Sequence, residues 1–184
     1  MKYTTVHTTA FKLAISGAAR TGKTTLGWAI SRATQAPVVD LDSVTNPLLD
    51  CLPRELFGSH WLAAPPENNI RNARYAALRA TARDILLSAK SVIVVAPFTQ
   101  ELQGGETWGQ LTDALGVDLP MVHLVGSPTL IASRKETRGA ERDKFAPRAS
   151  STLDPKIPHV SVDAALDTPA QVRQVLQALG CPES

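Results

Sequence analysis

The chain has 184 residues, 43% of them hydrophobic and 20% charged, with a formal net charge of +2. That length suits one domain with a real core, and so small a charge gives no argument for a nucleic-acid or membrane partner. Its two cysteines, Cys51 and Cys181, form neither a disulfide framework nor a metal-ligand pattern, so a cytoplasmic, reducing setting is expected.

The first predicted element is a short strand from Phe11 to Ser16. It runs into Gly17-Ala18-Ala19-Arg20-Thr21-Gly22-Lys23-Thr24, which satisfies the pattern GxxxxGK followed by Ser or Thr at every fixed position. Lys23 to Ala33 follows as a helix with Leu26, Ile30 and Ala33 on one face. Strand, glycine loop and helix is the setting in which such a loop cradles nucleotide phosphates. The stretch from Gly17 to Thr25 is therefore expected to bind the phosphates. Lys23 would reach the β- and γ-phosphates and Thr24 would ligate Mg2+. The helix N-terminus adds a partial positive charge there.

Ala36 to Leu41 is a second predicted strand, with Asp40 and Asp42 at its end. Residues two apart on a strand face the same side, so both carboxylates are expected to point together near the γ-phosphate. Residues 44–57, punctuated by Pro47 and Pro53, are expected as a short helix or irregular loop. A long amphipathic helix is expected over 68–89, with Ile70, Ala73, Ala77, Leu78, Ala82, Ile85 and Leu86 inward. Ser91 to Ala96 has the uninterrupted, β-branched character of a buried strand. Glu106 to Leu115 is a predicted helix that stops at Gly116, and Leu119 to Val125 is another strand. Ser127-Pro128 opens a helix running to Arg142. Residues 146–158, rich in Pro and Ser, are expected as a mobile loop. His159 to Val162 is the last strand, and Thr168-Pro169 opens a helix ending at Gly180.

Alternating strands and helices imply an α/β fold of three layers, a parallel sheet of about five strands with helices on both faces. Ligands in such sheets bind beyond the C-terminal strand ends, where the glycine loop and the aspartate pair both fall. Residues 1–184 are expected to form a single domain with a small lid region around 134–158. A hydroxyl-phosphorylating enzyme needs a carboxylate to orient the hydroxyl and accept its proton, and a second can hold the waters around Mg2+. Arg134, Arg138 and Arg142, at i, i+4 and i+8, form a basic stripe whose forks suit phosphate. No membrane span or apolar signal core is expected, since no apolar run is long enough and Met1 to Thr9 is polar.

The Asp-x-Asp after the second strand resembles that of shikimate kinases, and Asp42-Ser43 resembles the Asp-Ser pair of chloramphenicol phosphotransferase. Together with the loop, these residues make the chain similar to the P-loop small-molecule kinases, gluconate kinases among them. The resemblance implies a nucleoside-monophosphate-kinase-like P-loop NTPase fold, with ATP and Mg2+ as cofactors. It implies that Asp40 serves the metal shell, with Thr24, and that Asp42 is the catalytic base. Ser133 to Asp143 resembles the lid entrance of nucleoside-monophosphate-kinase-like enzymes. By that resemblance Arg134 stacks on adenine, Arg138 contacts phosphate during catalysis, and Arg142 joins on closure. In these kinases the loop after the third strand contributes to the acceptor pocket, which puts Phe98 at its floor and Thr99, Gln100 or Glu101 in polar contact. There is one departure. Many P-loop NTPases place an aspartate at the end of that strand, whereas Ala96-Pro97 stands here. A motor or helicase is thereby disfavoured, and the metal duty passes to Asp40 or Asp42.

The expected activity is an ATP-dependent kinase that transfers the γ-phosphoryl group to a hydroxyl of a small molecule. The acceptor classes are a sugar or sugar acid, an antibiotic or a nucleoside. Lys23, Asp42 and Arg138 carry the catalysis. In residues 44–74, which match no assigned pattern, His60, Trp61, Asn68, Asn69, Arg71 and Arg74 stand out. Trp61 offers a flat apolar face, and Arg71 or Arg74 an anchor for an anionic group. The alternatives are a kinase acting on a nucleic acid or modified base, against which the low charge weighs, and a non-catalytic ATP-binding adaptor. No Asn-Lys-x-Asp guanine motif is present. A monomer or a homodimer is expected.

Overall fold

A computed structural model describes residues 10–58, 60–65, 69–138 and 154–181. Among these, five parallel strands form one sheet: β1 (Lys12–Gly17), β2 (Val38–Asp40), β3 (Val92–Val95), β4 (Met121–Val125) and β5 (Val160–Asp163). Their spatial order is β2-β3-β1-β4-β5. The helices are α1 (Lys23–Thr34), α2 (Leu41–Cys51), α3 (Ile70–Ala89), α4 (Gly105–Leu115), α5 (Pro128–Arg138) and α6 (Thr168–Ala178). This is the expected α/β architecture, a P-loop kinase-like fold with parallel strands and helices on both faces.

The core divides by strand parity, because successive side chains point to opposite faces. Leu13, Ile15, Ile93, Val95, Val122 and Leu124 meet Leu26 and Ile30 of α1 and Val175 of α6. Ala14, Val92, Val94 and Met121 face the other way, against Tyr75, Leu78 and Ala82 of α3 and Leu111 and Leu115 of α4. β1 is central and buried on both faces, so the loop that follows it emerges in the middle of the sheet's C-terminal edge.

Local departures from expectation have local causes. Ala33 is exposed and Gly27 is buried instead. α1 lies so close to β3 that a Cβ at Gly27 would come within 2.9 Å of Val95 Cγ2. On α3, Ala73 is exposed, and Tyr75 is buried with its hydroxyl accepting from the Phe98 N–H at 3.0 Å. A hydrogen-bonded tip lets the phenol enter the core. Pro47 sits inside α2, which ends at Cys51, before Pro53. Residues 154–158 do not form a free loop. The Lys156 and Ile157 N–H groups donate to the Leu102 carbonyl at 2.7 and 3.4 Å, and Ile157 is buried. The rest of the expected loop, and most of the expected lid, lie outside the described residues.

Phe98 is core rather than the expected pocket floor. It is fully buried and packs edge-on against Tyr75, with ring centroids 5.8 Å apart. Phe98→Ala is expected to lower the unfolding free energy by about 3–5 kcal/mol, measured by urea denaturation. A loss under about 1 kcal/mol would show that this ring supports little of the core.

Candidate active site

β1 brings the chain to the sheet edge at Gly17, where φ is +145°. A Cβ there would lie 2.8 Å from the Leu124 carbonyl oxygen, so only glycine lets the loop pass so close to β4. Arg20 and Gly22 also take positive φ, +68° and +98°, and Gly22 is the N-cap of α1. A non-glycine residue in this conformation stores strain of the kind that collects at functional loops. Thr21 Oγ1 donates to the Ala18 carbonyl at 2.9 Å, and Lys23 Nζ donates to the same oxygen at 2.7 Å. Burial pushes the Lys23 ammonium down to about 8, against a partial upward pull from the Asp42 and Asp40 charges. Ala19, Thr24 and Thr25 are exposed around this turn.

Asp40 ends β2 and caps α2. Its Oδ1 accepts from the Asp42 and Ser43 N–H groups, each at 3.0 Å, and its Oδ2 accepts from Thr24 Oγ1 at 2.8 Å. The expected pair of carboxylates on one strand face is therefore corrected. Capping stops the strand at Asp40, and Asp42 lies in the first helical turn. The two still share the sheet edge, one buried and one exposed. Asp42 pairs with Arg74 Nη2 at 2.5 Å. The same arginine donates from Nε to Thr45 Oγ1 at 2.8 Å and from Nη2 to Asn46 Oδ1 at 3.0 Å.

Trp61 does not offer the expected open face. It is 5% exposed, Arg74 lies 5.0 Å from its ring centroid, and its Nε1 donates to Asp50 Oδ1 at 2.8 Å. Next to it, His60 Nδ1 accepts from the Leu62 N–H at 3.2 Å. Arg71 grips Glu101 with Nη2 contacts of 3.1 and 2.8 Å, and its guanidinium sits 4.1 Å from the Tyr75 ring centroid. A hollow of about 600 Å³ lies beside this pair between α3 and α4, with Asn69, Asn72, Gln100 and Gln110 on its walls. Thr99 and Gln100 are exposed.

No acid follows β3. Instead Ser16 Oγ donates to the Pro97 carbonyl at 2.8 Å and lies 3.2 Å from His123 Nδ1. The His123 ring stands edge-on to His159, centroids 6.0 Å apart. Burial, then the charges of His159 and Lys23, hold His123 below its ordinary value. Sequence reasoning passed over this buried polar line beneath the loop. Its signal was a histidine in the middle of the apolar run Met121 to Val125.

Arg134 reaches the loop from α5. Nη1 donates to the Arg20 and Thr21 carbonyls at 3.2 and 3.0 Å, and Nη2 to the Ala164 carbonyl at 2.9 Å. These bonds use the in-plane N–H groups of the guanidinium. The Arg138 side chain, Arg142 and Asn68 lie outside the described residues. Among the described residues no group of three or more His, Cys, Asp and Glu is placed to hold a metal. An oxygen pair, the Thr24 hydroxyl and the Asp40 carboxylate, is of the hard type that suits Mg2+.

The AAA domain family matches residues 13–155, and no curated protein sequence matches the chain. Three solved structures share its fold at low identity. A gluconokinase from Sinorhizobium meliloti is 18% identical with a TM-score of 0.59, over 93% of this chain and 92% of that one. An APS kinase from Mycobacterium tuberculosis is 16% identical with a TM-score of 0.65, over 93% and 98%. A shikimate kinase from Bacteroides thetaiotaomicron is 15% identical with a TM-score of 0.56, over 92% and 98%.

Lys23 tests the electrostatics of this edge without any ligand. Nitrogen NMR of labelled lysine is expected to show Lys23 titrating near 8 rather than at the ordinary 10.5. In Asp42→Asn the value should fall further, because an upward pull has been removed. A Lys23 that titrates above about 10 would contradict its burial.

Proposed function

The chain belongs to the AAA domain family, and from that premise we propose that it is an ATP-dependent kinase acting on a hydroxyl of a small molecule. The observation that carries this reading is the cluster at one sheet edge: Lys23 on the glycine loop, Thr24 bonded to Asp40, and Asp42 beside them. The kinases it resembles in fold add support, one of them solved with AMPPNP and APS. A sugar, a sugar acid, an antibiotic or a nucleoside fits as acceptor class.

The reaction follows from the residues. The acceptor oxygen bonds to the γ-phosphorus as the bond from that phosphorus to the β–γ bridging oxygen breaks. The products are ADP and a phosphomonoester, and the acceptor's proton passes to the Asp42 carboxylate. Arg74 holds that carboxylate in place through its ion pair. The amides from Gly17 to Thr25 and the Lys23 ammonium hold the phosphates, which requires Lys23 to leave the Ala18 carbonyl. Thr24 and, through water, Asp40 would hold Mg2+, which neutralises phosphate charge when bound. Arg134 offers a guanidinium face to the base, and Arg138 a charge to the phosphates. A lid around 134–153, ahead of the strapped residues 154–158, would exclude water, within a single domain of 1–184.

Lys23→Ala is expected to lower kcat by about 10²- to 10³-fold, since it removes a charge aimed at the transferring group. Asp42→Asn should lower kcat by about 10²- to 10⁴-fold with little change in the KM for ATP. ADP release coupled to NADH oxidation measures both. Near-wild-type turnover in Lys23→Ala would move the site elsewhere, and loss of ATP binding in Asp42→Asn would move that residue to the metal shell. Phosphate favours the charged lysine, so affinity for AMPPNP should be highest at low pH and fall as pH rises through about 8. Calorimetry from pH 7 to 9 would contradict this if affinity stayed flat across about that range.

A further inference from the structure

On the kinase reading, one buried polar line still has no task. Strand order puts the end of β3 between β1 and β2. The turn at Pro97 and Phe98 therefore leaves the sheet between the glycine loop and the Asp40–Asp42 turn. On that reading it underlies the gap across which a phosphoryl group would pass. The turn has an unfavourable shape. Phe98 takes φ +49°, a left-handed conformation that a bulky residue keeps only when its surroundings fix it. Both ends of the peptide unit joining Pro97 to Phe98 are gripped by side-chain hydroxyls. The Tyr75 hydroxyl accepts from the Phe98 N–H at 3.0 Å, and Ser16 Oγ donates to the Pro97 carbonyl at 2.8 Å.

Proton counting fixes the next link. A serine hydroxyl has one proton, and Ser16 gives it to Pro97, whose carbonyl has none to return. His123 Nδ1 lies 3.2 Å from the same Oγ, so it is the donor of that bond. Ser16 and His123 are register partners on β1 and β4, and both are buried. Burial, then the charges of His159 and Lys23, disfavour a charged ring. The imidazole is thus neutral, with its proton on Nδ1 and Nε2 bare. We infer that His123 is a positioning residue: its Nδ1–H holds the Ser16 hydroxyl on the Pro97 carbonyl, and so sets the turn between the glycine loop and Asp42. The effect on turnover rests on the kinase reading; the place of the proton does not.

Nitrogen NMR of the histidine-labelled wild-type chain near neutral pH should show His123 protonated at Nδ1. A bare Nδ1 would overturn the inference. Three variants then separate the donor from the ring. His123→Asn keeps an N–H near the place of Nδ1, His123→Gln moves it toward that of Nε2, and His123→Leu has none. Amide hydrogen exchange at Phe98 should speed up about tenfold in His123→Gln and His123→Leu. His123→Asn should exchange like wild type, and Val94 on β3 should stay unchanged in all three. Equal exchange at Phe98 in the three variants would overturn the inference. Turnover is read as ADP release with Mg2+, ATP and glucose, gluconate, shikimate, adenosine or chloramphenicol. His123→Leu should lower kcat about 10²-fold with AMPPNP affinity unchanged, and His123→Asn should recover most of the loss. In a Ser16→Ala background His123→Leu should have no further effect, because the histidine acts through that hydroxyl. An unchanged kcat in folded His123→Leu would overturn the part in turnover. No product from any acceptor, by protein that binds AMPPNP, would tell against the kinase reading, while the NMR and exchange results would still decide the positioning.

Discussion

One carboxylate joins the parts of this site. Asp40 uses one oxygen to cap α2 and the other to receive the Thr24 hydroxyl. The first bond ends β2 and sets where Asp42 emerges. The second ties that junction to the first turn of α1, and so to the glycine loop. Asp40 pairs in register with Val95, and Val95 with Ile15, so the turn after β2 leaves the sheet two residues below Gly17, where the loop after β1 begins. The proposed base and the proposed phosphate anchor are thus held near each other by backbone register, with the carboxylate bridging them.

Electrostatics at this edge work by pairing rather than by accumulation. Lys23 is buried enough to lower its proton affinity, and two aspartates pull the other way. Arg74 answers Asp42, and Arg71 answers Glu101. Tyr75 lies under Arg71, with its phenol pushed well above the ordinary value by burial and by the Glu101 charge. On the loop itself, the Lys23 ammonium is held by the Ala18 carbonyl.

The glycine loop and the sheet were legible in the sequence because their signals are local. A fixed spacing of Gly, Lys and Thr marks the loop, and short β-branched runs mark strands buried on both faces. The boundary at Asp40 was not, because an aspartate at a strand end serves equally as strand residue or cap. Its other oxygen is taken by Thr24, which lies 16 positions away. The pairings of Arg74 with Asp42 and of Arg71 with Glu101 span 32 and 30 positions. No periodicity reports such partners. They also explain why two arginines that looked available to a ligand are occupied. Tyr75 escaped notice because a phenol can be exposed or buried, and only the Phe98 N–H decides it.

The central claim is that phosphates sit on the loop from Gly17 to Thr25, with Asp42 facing the γ-phosphate. A crystal structure with Mg2+ and AMPPNP tests it most directly. The account predicts Lys23 Nζ released from the Ala18 carbonyl and bound to the phosphates. It also predicts Mg2+ on Thr24 with Asp40 in its water shell, and the Asp42 carboxylate open to the γ-phosphate. A nucleotide bound elsewhere, or on the loop with Lys23 still held by Ala18, would contradict it.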